Sequence, residues 1–102
     1  MAKLSKHSAC GTSFYNTTIT TTVNELIRVL GKPQQWYNSG EYKTNFDFVC
    51  ETENGDVFTI YDWKYYRPLD LDEQIEFHIG GKASHITQQA RIELLILLAT
   101  KS

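Results

Sequence analysis

The stretch Asn45-Phe46-Asp47-Phe48-Val49-Cys50-Glu51-Thr52-Glu53-Asn54-Gly55-Asp56-Val57-Phe58-Thr59-Ile60-Tyr61-Asp62-Trp63 decides how this chain folds. Residues 45–51 alternate in polarity, residues 57–63 alternate again, and Asn54-Gly55 between them is the strongest short hairpin signal, so the stretch predicts an antiparallel pair. A two-residue turn would fix the register. Glu51 then faces Phe58, Val49 faces Ile60 and Asp47 faces Asp62 on one side. Cys50 faces Thr59, Phe48 faces Tyr61 and Phe46 faces Trp63 on the other, forming an aromatic wall. The opposed carboxylates repel, so this register requires Lys43 or Lys64 beside them, or an opening of the ladder there.

Downstream, residues 74–79 read as a third strand with Ile75, Phe77 and Ile79 on one face and Gln74, Glu76 and His78 on the other. Gly80-Gly81 allows a sharp turn or the close approach of a ligand. Upstream, the Thr- and Tyr-rich residues 10–20 suit a first or edge strand, and residues 1–9 are expected to be a flexible lead-in. Thr22-Val23-Asn24-Glu25 has capping-box spacing, and Val23, Leu26, Ile27 and Leu30 make an apolar stripe that Gly31 and Pro33 end after about two turns. Ser84 or Thr87 caps a last helix running to about Lys101, whose half from Ile92 to Ala99 is apolar almost all round. One sheet face cannot cover every side of such a helix, so a homo-oligomer with this helix at its interface is expected. The fold class is α+β: a small antiparallel sheet of about four strands, a short helix in the N-terminal half and a long apolar C-terminal helix. The domain spans residues 10–102.

With 102 residues, 41% of them hydrophobic, the chain is sized for a single core. A formal net charge of -2 argues against duplex nucleic acid, which is held through a broad basic surface. Two cysteines, Cys10 and Cys50, with no CxxC spacing and no hydrophobic leader, suit free thiols in a reducing cytoplasm. The run Leu94 to Ala99 is too short to cross a bilayer, so no membrane association is expected. His7, His78 and His85 have no zinc-ligand spacing, and no nucleophile elbow, phosphate loop or dinucleotide glycine motif occurs. The sequence therefore implies neither an enzyme nor a metal or cofactor.

Aromatic rings and cations crowd together in Phe58-Thr59-Ile60-Tyr61-Asp62-Trp63-Lys64, continuing through Tyr65-Tyr66-Arg67 to Ile75-Glu76-Phe77-His78-Ile79-Gly80-Gly81. That mixture suits a flat anionic ligand, because a base stacks on a ring while cations meet its phosphates. Tyr61 and Trp63 are the stacking candidates, Lys43, Lys64 and Arg91 the phosphate candidates, and Thr12 and Ser13 offer hydroxyls and amides beside a glycine. His78 and Gln88 complete the ligand-binding set. Each has an ordinary alternative: Tyr61 and Trp63 as core, Lys64 and Arg67 as solvated charges, His78 as a hydrogen-bonded neighbour of Glu76, Gln88 and Arg91 as a face turned to water. Asp70-Leu71-Asp72-Glu73 reads as a solvated acidic turn.

Gly11-Thr12-Ser13, Gly31-Lys32-Pro33, Tyr42-Lys43-Thr44, the segment from Phe58 to Lys64 and His78-Ile79-Gly80-Gly81 together resemble a family of small tailed-phage proteins, from Cys10 to the last helix. That family is linked to the viral anti-CBASS and anti-Thoeris sponges, which evade bacterial nucleotide-signalling immunity by binding cyclic oligonucleotides or cyclic ADP-ribose isomers without cleaving them. The resemblance implies a phage protein working in the host cytoplasm on such a ligand. Phe48 and Phe77 stand where the family pattern has Trp, and Tyr65 where it has an acidic residue, so the resemblance does not transfer ligand identity. Two other functional classes stay open: a phage protein that blocks a host protein through an aromatic surface, and a nucleotide-cleaving enzyme whose site is not recognised.

Overall fold

The structure is a computed structural model and describes residues 1–100. Its elements are β1 (Lys3–Leu4), β2 (Ser13–Thr21), α1 (Val23–Leu30), β3 (Gln35–Trp36), β4 (Phe46–Glu51), β5 (Val57–Tyr61), β6 (Ile75–Gly81) and α2 (Ser84–Thr100). The hairpin β4–β5 is present, but its register is one residue away from the expected one. Thr52 N–H donates to the Asp56 carbonyl at 2.9 Å and Gly55 N–H to the Thr52 carbonyl at 2.8 Å, leaving three residues in the loop. Gly55 has φ +85°, the left-handed position of a three-residue hairpin. Glu51 therefore pairs with Val57, Cys50 with Phe58, Val49 with Thr59, Phe48 with Ile60 and Asp47 with Tyr61.

A slip of one residue exchanges the faces of one strand relative to the other. Phe46, Phe48 and Cys50 join Phe58 and Ile60 in the core, while Asp47, Thr59 and Tyr61 share the opposite face. The expected aromatic wall is divided between the two faces. Asp47 does not face Asp62, which lies beyond the end of β5.

The strand order is β1-β4-β5-β6-β2, all antiparallel, with β3 also paired to β4. Six strands replace the expected four or so because two-residue β1 and β3 share one edge of β4. Gln34 bridges them: its amide donates to the carbonyls of Ser5 at 3.0 Å and Val49 at 2.8 Å and accepts from Val49 N–H at 2.8 Å. Residues 1–9, read as a lead-in, thus contribute a strand, and Ala2 and Ser5 are buried. Strand β2 forms the far edge, with two extra residues between Phe14 and Thr17 where Asn16 takes φ +63°.

Both helices cover the same sheet face. Thr22 caps α1 by accepting from Glu25 N–H at 3.0 Å, but the Glu25 carboxylate turns to Arg28 instead of closing the box. Val23 and Leu26 are buried, and Gly31, at φ +104°, ends the helix. Helix α2 begins at Ser84, with the Ile86 and Thr87 amides on the Ala83 carbonyl, so neither Ser84 nor Thr87 caps it; the Thr87 hydroxyl donates to the Ser84 carbonyl and meets Thr17. The expected end at Lys101 lies outside the described residues. Ile86, Ala90 and Leu94 pack on Ile19, Phe77 and Ile79 in one core. Each large apolar side chain buried there contributes about 1.5–3 kcal/mol. No helix among the described residues is long and apolar enough to cross a membrane.

Candidate functional site

The face of the sheet away from the helices carries a cleft of about 290 Å³ lined by Ala9, Thr12, Thr44, Asp47, Thr59, Tyr61 and Trp63. Its floor follows from strand alternation: Asp47, Thr59 and Tyr61 point opposite to Phe48 and Ile60. The 9–12 segment supplies one wall. It is a turn in which Thr12 N–H and the Thr12 hydroxyl both donate to the Ala9 carbonyl, at 3.1 and 2.8 Å, with Gly11 at φ +85°. Gly80 keeps the neighbouring strand low. A Cβ there would lie 2.7 Å from Thr59 Oγ1, so the missing side chain is what leaves room for the Thr59 hydroxyl.

The opposite wall is held by a buried polar network. Asp62 is fully buried and its carboxylate accepts from Asn45 N–H, Phe46 N–H and the Asn45 side-chain amide, at 2.8 to 3.0 Å. Asn45 also donates to the Arg67 carbonyl and accepts from Gly40 N–H, both at 3.0 Å. Gly40 lies so close to Arg67 that a Cβ would come within 2.6 Å of its backbone. These bonds join the loop before β4 to the loop after β5. Lys64 N–H then donates to the Lys43 carbonyl at 2.7 Å, with Lys64 itself at φ +58° and Tyr66 at φ +51°. Left-handed non-glycine residues cost on the order of 1–3 kcal/mol each and persist where surrounding bonds over-determine them. The outcome is that Lys43 and Lys64 both lie over the Trp63 ring, 5.7 and 5.5 Å from its centroid.

Four rings adjoin one another on this face. Tyr61 meets Trp63 edge-on at 5.8 Å and His78 at 5.5 Å, Trp63 stacks on His78 at 6.2 Å, and Phe14 stacks on His78 at 4.0 Å and 8°. Burial lowers the pKa of His78 below its ordinary 6.5, outweighing the pull of Glu76, so at neutral pH it is an uncharged ring. Asp47 moves the other way. Burial, with the Asp62 carboxylate adding to it, raises Asp47 from 3.8 to about 6. Burial and then Asp47 also raise Tyr61.

Of the residues singled out from sequence, Thr12, Tyr61 and Trp63 line the cleft, and Lys43, Lys64 and His78 adjoin its rings. Ser13 opens β2 opposite Gly81 and is exposed. Gln88 and Arg91 lie on α2, across the sheet from the cleft. Gln88 is exposed, and Arg91 Nε donates to the Thr18 carbonyl at 2.9 Å. Arg67 forms a two-pronged ion pair with Glu73. Sequence reasoning missed Asp47, Thr59, Thr44, Ala9 and the stacked Phe14. Reading Glu53-Asn54-Gly55 as a three-residue loop would have set Asp47 opposite Tyr61. Among the described residues no three His, Cys, Asp or Glu side chains form a group able to hold a metal ion.

No family model, curated protein or solved structure matches this chain. Ser13 pairs with Gly81 and Phe14 with Gly80 on one side of β6, and Tyr61 pairs with His78 on the other, so the strands that carry Ser13 and Tyr61 flank the strand that carries residues 78–81.

Proposed function

We propose that this protein is a phage-encoded sponge that captures a cyclic nucleotide immune signal and holds it without cleaving it. The observation that carries the reading is Trp63, an exposed ring with a lysine over it from each of two loops, at the mouth of a cleft that continues over Tyr61. Stacking contributes about 1–3 kcal/mol per base, and a base settling on Trp63 displaces the two flexible lysine side chains from the ring so that their ammonium groups meet its phosphate. The cleft volume is at the lower end of the roughly 300–1,000 Å³ typical of ligand sites, which suits one nucleotide unit per protomer. A larger ring then extends over the open face or to a second copy. For assembly, Ile92, Leu95, Ile96 and Ala99 form an exposed stripe at helical spacing on α2, and we read it as the contact between protomers.

The test is to incubate the protein with cyclic di- and trinucleotides and cyclic ADP-ribose isomers, remove free ligand, heat, and identify what is released. Intact ligand supports the sponge, and altered ligand indicates an enzyme. A second reading, blockade of a host protein, is favoured by a separate group of exposed rings, Trp36, Tyr37 and Tyr42, the last two in edge-on contact at 5.3 Å. Release of no nucleotide at all favours that reading.

A further inference from the structure

We propose that Asp47 selects the base: its carboxylate accepts the adjacent N1–H and N2–H donors on the Watson–Crick edge of a guanine ring lying against Tyr61 and Trp63. The inference rests on the nucleotide reading of the cleft and adds the class of base. Charge is divided within the site. Asp47 lies on the floor, directly across the ladder from Tyr61, whereas Lys43 and Lys64 lie over Trp63. A nucleotide is polarised in the same way, with a base edge at one end and phosphate at the other. Phosphate is repelled by Asp47 and attracted by the lysines, so the base end enters.

Asp62 is fully engaged by Asn45 and Phe46, but no donor among the described residues hydrogen-bonds the Asp47 carboxylate. An ionised carboxylate is an acceptor only, with two oxygens that suit two adjacent donors. Burial leaves this one poorly solvated, as its raised pKa of about 6 reflects, so donors from a ligand replace solvent that is partly missing. Guanine presents two such donors side by side. Adenine presents one N6–H beside the N1 lone pair, and uracil one N3–H between two carbonyl oxygens; both set a lone pair against the carboxylate. The Thr59 and Thr44 hydroxyls, able to donate or accept, do not discriminate in the same way.

The experiment is calorimetry on the full chain with cyclic dinucleotides and trinucleotides matched in linkage and differing only in base: guanine, hypoxanthine and adenine. The parent should bind the guanine member about tenfold to a hundredfold more tightly than the adenine member, and hypoxanthine, which lacks the N2 amine, should fall between. Asp47→Asn offers one acceptor and one donor, the pattern that pairs with adenine, and should abolish or reverse the preference. The hypoxanthine comparison needs no variant and so stands apart from any effect of substitution on folding. Equal binding of guanine and adenine members by the parent, or an undiminished guanine preference in Asp47→Asn, overturns this inference and leaves the nucleotide site in place. Failure of the parent to bind any nucleotide overturns both.

Discussion

Asp47 and Asp62 carry the same side chain, and their surroundings give them opposite parts. Asp62 is buried with three donors on it, so its charge is matched and it joins two loops. Asp62→Ala would leave the amides of Asn45 and Phe46 buried without partners, which should cost about 2–4 kcal/mol in a urea melt and loosen both lysine-bearing loops. Asp47 is half-buried without matching donors, and its folded pKa of about 6 lies above its ordinary 3.8. The native state therefore holds the proton more tightly than the unfolded chain does, and stability falls as pH rises from about 4 to about 6. Above pH 6 the penalty is complete; allowing for solvent screening of a partly exposed group it amounts to about 1–2 kcal/mol. Asp47→Asn should thus melt higher than the parent at pH 7 and equal to it near pH 4. A melt at pH 7 below the parent's would contradict this account of Asp47. Gly80→Ala should force Thr59 Oγ1 out of its place and narrow the cleft, with loss of ligand affinity exceeding loss of stability.

At the scale of elements, the hairpin shows what was legible in the sequence and what was not. Alternation around Asn54-Gly55 is enough to predict two paired strands, but the face each residue takes depends on loop length, and Asn-Gly occurs in both two- and three-residue loops. That single residue decided whether Tyr61 opposed Phe48 in the core or Asp47 on the open face. The capping threonine of α1 and its apolar stripe were readable because they are local. Strands β1 and β3 were not, because two-residue strands have no period and exist only through the edge of β4 and the Gln34 bridge. Arg91 shows the same limit: its charge was visible, but which side of the sheet it would occupy was not. Arg91→Ala should therefore leave ligand affinity unchanged, and a tenfold loss would show that the site extends beyond the cleft. In α2, Glu93 interrupts the apolar run, buried, accepting from Glu53 N–H at 3.0 Å and from Gln89 at 3.0 Å, so it fastens the helix to the hairpin loop.

At the scale of the whole molecule, the sheet packs one face against both helices and leaves the other open with a cleft, and helix α2 is still apolar on its outer side. Leu94 is completely buried within the protomer, so Leu94→Glu tests folding and not assembly. Ile92 and Leu95, 52% and 41% exposed, are the informative positions. Ile92→Glu or Leu95→Glu should convert an oligomer to a monomer in sedimentation with little change in melting, and a monomeric parent at micromolar concentration would contradict this assembly. The central claim is that the cleft with Trp63 and its two lysines captures a nucleotide, and it is tested most directly by calorimetric titration of a Lys43→Ala, Lys64→Ala double variant beside the parent with the cyclic nucleotide the parent binds. Both lysines are exposed, so the variant should fold as the parent does and bind about a hundredfold more weakly; a folded double variant that binds with the parent's affinity would contradict the claim.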